Sequence, residues 1–253
     1  MRAAEVGRRQ TAFLSLGVLA LVWWLAAIVV HDATLLPDPL TVTRLIWHEA
    51  ASGSLAYHLT ATLARVVASF VLAMTIGVGL GLAMGRSEHA DRWLDPWLIV
   101  FLNMPALVII VLCYLWIGLT EAAAIAAVAI NKVPMAAAMI REGARTLDPE
   151  LDAMAKIYRM SAWARFRHVH LPQLAPHIAA AARAGVALIW KIVLVVEFLG
   201  RPNGIGFQIH LYFQLFDVGM VLAYALSFVV VMLAIETWVL QPWERSASRW
   251  RTA

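Results

Sequence analysis

The chain has 253 residues, of which 62% are hydrophobic and 14% charged, with a formal net charge of +4 and a mean hydropathy of +0.76. This balance excludes an ordinary soluble domain and predicts an all-α integral membrane protein, and the small net charge offers no argument for a nucleic-acid partner. A single cysteine, Cys113, excludes an internal disulfide or a cysteine-based metal cluster and reads as a small apolar residue within a helix.

Residues 1–12 place Arg2, Arg8 and Arg9 ahead of an apolar run over 13–30. Arg8-Arg9 resembles a twin-arginine export signal, but the run is long enough to span, lacks a small-x-small cleavage site and carries Trp23-Trp24, so it is expected to be the first transmembrane helix. Residues 31–57 form a polar link in which Pro37-Asp38-Pro39 starts a short interfacial helix bearing Leu40, Leu45, Ile46 and Trp47, ended by Ser52-Gly53. Further spans are predicted at 58–84, 94–117, 122–140, 176–199 and 218–240, which makes six; each is close to the ~20 apolar residues needed to cross a ~30 Å hydrocarbon core.

Gly77-Val-Gly-Leu-Gly81 and Gly85 lie in the second span with no strand before them. They read as a seam for close helix approach rather than a dinucleotide loop. Pro105, after Asn103-Met104, is expected to break the third span, freeing carbonyls that must face protein or a cavity. Four basic residues fall inside spans: Arg65, Lys132, Arg183 and Lys191. Each would cost ~2.5–3.5 kcal/mol facing lipid at a helix centre. Arg183 is near enough to a span end to snorkel, whereas Lys132 and Lys191 are too deep, leaving pathway lining and internal ion pairing both open.

The amino terminus, the 85–93 turn, the 141–172 loop and the 241–253 tail hold fourteen Lys and Arg, against only Arg44 and Arg201 in the other loops. Positive-inside therefore puts both termini and the central loop in the cytoplasm. Trp93, Trp97, Trp116, Trp238 and Trp243 fall at span ends, as an interfacial aromatic belt requires.

The central loop has its own pattern. Asp148-Pro149 starts a short helix to about Tyr158, on which Leu151, Met154, Ala155 and Tyr158 share one face while Glu150, Asp152 and Lys156 point elsewhere. Ser161 then caps a second short helix over 162–170, with Pro172 expected to stop it.

The run from Ala153 through Lys156, Tyr158, Arg159 and Ser161 to Leu171-Pro172 resembles the EAA loop of ABC-importer permeases, whose pattern is Glu-Ala-Ala, three residues, Gly, then about nine residues to an apolar residue and Leu-Pro. Aligned on Leu171-Pro172, Ala153 stands for the Glu, with Asp152 beside it, and Arg159 stands for the Gly. Leu36-Pro-Asp-Pro39, Ser52-Gly-Ser-Leu55, Leu63-Ala-Arg-Val66, Leu94-Asp-Pro96, Asn103-Met-Pro105, Trp116-Ile-Gly118 and the segment after Glu197 extend the resemblance to the nitrate, sulfonate and taurine branch, over about residues 36–240.

The resemblance implies a type I importer permease: one transmembrane domain over 1–253, with residues 1–35 as amino-terminal tail and first helix, 36–57 as periplasmic link, 58–240 as five-helix core containing the 142–172 loop, and 241–253 as tail. It implies that Leu151, Asp152, Ala153, Met154, Ala155, Tyr158, Arg159 and Ser161 couple to an ATPase subunit. Asn103, Met104, Lys132, Trp190, Lys191 and Glu197 are the candidates for a translocation pathway shared with a second permease. An external solute-binding protein would deliver the solute, and ATP and Mg would sit on the ATPase, with no cofactor on this chain. The expected location is the bacterial cytoplasmic membrane. Because Arg159 enters a left-handed turn less cheaply than Gly, either the turn is built differently or this half couples less tightly, and the second permease is either a copy of this chain or a different one carrying the usual Gly.

The chain lacks a Gly-x-x-x-x-Gly-Lys-Ser/Thr phosphate loop, so no ATPase site is expected in it. A secondary transporter or channel using Lys132 and Lys191 in an ion pathway is the competing class; it leaves the amphipathic loop unexplained and finds no inverted repeat of broken helices. A membrane enzyme is third, with neither His-Glu-x-x-His nor Gly-x-Ser-x-Gly in the chain.

Overall fold

Inside a bilayer the backbone can hydrogen-bond only to protein, so apolar runs of this length are driven into helices. The computed structural model describes residues 2–240 and Pro242, and every regular element among them is helical. In chain order these are α1 (Arg2–Val30), α2 (Pro39–Ala51), α3 (Ser54–Arg86), α4 (Glu88–Asn103), α5 (Ala106–Ile117), α6 (Glu121–Arg145), α7 (Pro149–Ile157), α8 (Ala162–Arg165), α9 (Leu171–Gly200), α10 (Ile205–Gln214) and α11 (Val218–Ile235). Single π-helical turns join α8 to α9 (Phe166–His170) and follow α11 (Glu236–Leu240).

Among the described residues four helical rods are long and apolar enough to cross a membrane: Ser54–Arg86, Glu121–Arg145, Ala162–Gly200 and Val218–Trp238. The pair α4 and α5 passes the same test together but bends by 99° at the break. The predicted span over 94–117 is therefore two helices: Pro105 has no N–H and forces Met104 into extended backbone, so the bend greatly exceeds an ordinary proline kink. The run predicted as the first span is the end of α1, whose apolar part is Leu14–Val30. Trp243 and the basic tail lie outside the described residues.

The seam glycines set the helix packing. A Cβ on Gly77 would stand 2.6 Å from the Ala136 Cβ, one on Gly81 2.5 Å from the Ala137 carbonyl, and one on Gly85 2.5 Å from the Ala144 Cβ. With Ile140 Cβ 2.7 Å from the same point over Gly81, each step of four along α3 meets a step of four along α6, so the two helices run side by side in the same direction with backbones nearly touching. Helix α9 runs the opposite way along α6, from His177 against Gly143 at one end to Lys132 beneath Gly185 midway. The buried core joins Val66, Ile109, Ile110, Tyr114, Val128, Ile189 and Val193 of α3, α5, α6 and α9. A second cluster, Ile205, Met220, Tyr224, Phe228 and Met232, fastens α10 and α11 to it.

Two elements depart from expectation. Residues 205–214, to which the sequence assigns no helix, form α10; Gly206 lets its start press onto α9, where a Cβ would collide with the Leu194 carbonyl. Pro172 does not stop the second loop helix either, because Ala162–Gly200 is continuous. The π turn before it shifts the hydrogen-bond register, with Leu171 N–H reaching the Phe166 carbonyl, and Pro172 then occupies a first-turn position where its missing N–H costs little.

Candidate functional site

The central loop carries the first constellation. Asp148 caps α7, its carboxylate accepting from Glu150 N–H at 2.8 Å, and Pro149 opens the helix. Ser161 caps α8 in the same way through Ala164 N–H at 3.2 Å. Arg159 has φ +49°. Its N–H donates to the Lys156 carbonyl and Met160 N–H to the Ala155 carbonyl, both at 3.0 Å, which is the paired closure of a Schellman cap with Arg159 in the left-handed position. The chain thus makes with Arg the turn that Gly would make, which removes a differently built turn from the two alternatives and leaves the tightness of coupling open.

Helix α7 divides its surface sharply. Ala155 is fully buried against the body of the protein. Leu151, Met154, Ile157 and Tyr158 are exposed, Tyr158 to 75%, as is Trp163 on α8. Ala153 is exposed too. Asp152 faces inward instead: it pairs with Arg86 at the end of α3, and His170 Nε2 donates to its Oδ1 at 2.8 Å. The His170 hydrogen bond, with the Arg86 charge behind it, holds the Asp152 carboxyl below its ordinary range. Arg86 also reaches the His170 ring, and Gln173 accepts from Asp148 N–H at 2.9 Å. Sequence reasoning missed Arg86 and His170, whose significance exists only once α3, α7 and α9 are brought together.

The outer ends of the core helices hold a second constellation, around Arg65. Its guanidinium makes a two-point contact with Glu121 at 2.8 and 2.7 Å, reaches Glu197 Oε1 at 2.6 Å and the Asn203 carbonyl at 2.9 Å, and also bonds the Asn203 side chain. Glu197, fully buried, accepts further bonds from Thr62 and from Gly206 N–H, each at 2.9 Å. Arg201 joins through Glu121 at 2.5 Å and the Leu119 carbonyl at 2.7 Å. His58 Nδ1 accepts from Gly204 N–H at 3.0 Å, and the Gln208 side-chain amide lies 2.5 Å from its Nε2. Glu197 is thus walled in by ion pairs and amides. Glu121 at a helix start and Arg201 in a turn gave no periodic signal that would mark them as members of the Arg65 cluster.

The remaining candidates are scattered. Asn103 is exposed at the α4–α5 break, its side chain bonded to the Ile99 carbonyl at 2.8 Å, and Met104 packs on the main core. Lys132 is 2% exposed, and its ammonium reaches only the Met135 sulfur at 2.6 Å and the Ala184 carbonyl at 3.4 Å, with no carboxylate beside it among the described residues. Lys191 is exposed, its ammonium 5.4 Å from the Trp190 ring centre. Both line a cleft of about 350 Å³ between α9 and α11, with Met232 and Glu236 at its far side. The structure therefore brings Trp190 and Lys191 together and leaves Asn103, Lys132 and Glu197 apart from them.

Comparison with known proteins agrees with this architecture. Residues 73–240 match the family model described as the binding-protein-dependent transport system inner membrane component. SsuC of Escherichia coli (strain K12), named for aliphatic sulfonate transport, is 38% identical over 77% of this chain and 74% of its own. The riboflavin transport system permease protein RibX of Chloroflexus aurantiacus is 31% identical over 86% and 82%, and the taurine transport system permease protein TauC of Escherichia coli (strain K12) 24% identical over 88% and 84%. An inward-facing MetNI methionine ABC transporter superposes with a TM-score of 0.64 at 17% identity, over 76% of this chain and 95% of that one, which supports the fold alone. The all-helical bundle, the loop pattern and the match over most of its length together make this chain a member of the binding-protein-dependent transport system inner membrane component family, a permease subunit of an ABC importer with no ATPase site of its own.

Proposed function

We propose that this permease pairs with a second permease subunit to form a pathway for a small anionic solute, delivered by a solute-binding protein and driven by separate ATPase subunits that carry the ATP and Mg. The observation that carries the reading is the exposed apolar face of α7. Leu151, Met154, Ile157 and Tyr158 stand on a loop that the charge asymmetry assigns to the cytoplasm, and the protein's own helices leave them uncovered. Apolar area of this kind in water is stabilised by a partner groove, and an ATPase subunit is the partner that the family supplies. Alternating access then follows from movement of that subunit against α7, while the chain itself holds no cofactor.

The anion follows from Lys191. An exposed ammonium at this depth would cost ~2.5–3.5 kcal/mol against lipid, so the α9–α11 cleft with Lys191 and Trp190 is turned to the pathway or the partner. The name of the aliphatic sulfonate relative points to the same charge, and taurine, named for the other, carries the same sulfonate group beside an ammonium. Both termini are assigned to the cytoplasmic side.

Two measurements test this. Met154→Asp places an unpaired charge in the docking face and is expected to release the ATPase during co-purification while the permease stays folded; full retention would remove the docking face. Single cysteines at Ser54 and Asn203 should react with an impermeant reagent from outside, and those at Ser87 and Glu150 should not. Outside labelling at Glu150 would overturn the orientation.

A further inference from the structure

Helices α3 and α9 are fastened to each other at both ends. At the outer end Arg65 and Glu197 pair at 2.6 Å with both side chains buried. At the inner end Arg86 bonds to the ring of His170, and His170 is 5% exposed. The two fastenings on α3 are 21 residues apart by number, roughly 32 Å along a helix. Between them the glycine seam holds α3 against α6 with no room for a methyl group. Helix α9 packs along the same α6, with His177 against Gly143 and Gly185 over Lys132, so two rods fastened at both ends and packed on a common third move as one body, since packed interfaces are not continuously deformable.

Helix α7 is attached to this frame at a few points, all on its inward side: Asp152 to Arg86 and His170, the Asp148 N–H to Gln173, and Ala155 by burial. Only the Asp152 attachment grips both rods, because Arg86 ends α3 and His170 lies in the π turn that leads into α9. The continuous rod Ala162–Gly200 carries the π turn at its foot and Glu197 near its head.

We propose that Arg86 and His170 are positioning residues that key α7, through Asp152, to an α3–α9 frame, so that a displacement of the coupling helix reaches the outer ends of both helices as a single movement. The proposal rests on the reading that α7 docks on an ATPase. It assigns a role to two residues outside the docking face, since neither belongs to the exposed apolar surface of α7.

The test uses the complete permease–ATPase complex in liposomes. A cysteine replacing Ala56, exposed near the outer end of α3, is labelled by an impermeant maleimide with and without the non-hydrolysable nucleotide AMP-PNP and Mg²⁺. Nucleotide is expected to change the labelling rate by about fivefold or more in the parent, the range of ordinary coupling between distant sites. Arg86→Gln and His170→Ala are expected to bring that ratio close to one while the ATPase still co-purifies, and Arg86→Lys, which retains a charge for Asp152, to keep most of it. If Arg86→Gln does not assemble, His170→Gln gives the same reading, because it drops the ring that Arg86 grips. A ratio unchanged in the folded variants overturns the proposal, as does a parent with no nucleotide response. Loss of the ATPase from the parent complex refutes the docking reading instead, so the two failures are distinguishable.

Discussion

Replacing Arg159 by Gly should tighten the end of α7. Arg159 sits at φ +49°, where an L-residue's Cβ crowds the following carbonyl at a cost of roughly 1–2 kcal/mol. Glycine removes that cost but has more freedom to lose on ordering, which offsets about 0.5–1 kcal/mol. The net gain is about 0.5–1 kcal/mol, or about two- to fivefold in the equilibrium between closed and frayed cap. Hydrogen exchange reads this directly, since the Arg159 and Met160 amides close the cap onto Lys156 and Ala155 at 3.0 Å. Arg159→Gly should slow exchange at residues 159 and 160 by that factor. Arg159→Ala keeps the Cβ and discards only the charge, so it should exchange like the parent. If alanine matches glycine, or if glycine exchanges no more slowly than arginine, strain at this position is not what limits the cap.

Glu197→Gln should lower thermal stability by about 1–3 kcal/mol, because it takes the buried carboxylate from Arg65, Thr62 and Gly206 while Glu121 still pairs the Arg65 charge; Glu121→Gln, whose side chain is 50% exposed, should cost under about 1 kcal/mol, and equal losses in a melting assay would contradict the ranking. Gly81→Val should destabilise by about 1–3 kcal/mol by overpacking the seam, whereas Gly79→Ala, with nothing within 4 Å of the added carbon, should melt like the parent; a reversed order would refute the seam. Lys191→Met should reduce solute uptake with assembly intact, while Lys132→Met, which strands no carboxylate, should leave the yield of folded protein unchanged or raised; a collapse of that yield would show that the Lys132 ammonium is needed where it stands.

The local grammar of the chain was readable wherever a residue acts through its immediate neighbours. Asp38 and Asp148 each cap a helix that Pro opens, and α2 and α7 begin where those pairs put them. The seam glycines were readable for the same reason, since a small residue every fourth position has little use except close packing. What could not be read depends on residues far apart in number. Arg65 was flagged as costly in a membrane, yet its partners Glu121 and Glu197 lie 56 and 132 positions away. Helix α10 escaped because polar Gln208 and His210, two apart, fall on opposite sides, so no single polar stripe marks a helical period. The size of the bend after Asn103 is set by packing on both sides of it, where the sequence shows only a proline.

The arrangement around α6 bears on how the protein is made. Its span is the least apolar of the four, with a mean hydropathy of 1.7 against 1.9 to 2.6 for the others, and it is also the most enclosed, with 56% of its membrane window buried. It carries Lys132, which alone opposes partition from an insertion channel by ~2.5–3.5 kcal/mol. Entering lipid alone, α6 would be poorly retained; entering beside α3, it finds the glycine seam already present. Biogenesis of the bundle should therefore be sequential and assisted, with the earlier helix acting as a chaperone for the later one. In a ribosome-bound chain arrested after α6, a cysteine placed in α6 should stay open to a water-soluble thiol reagent when the α3 glycines are made bulky, and be protected when they are intact.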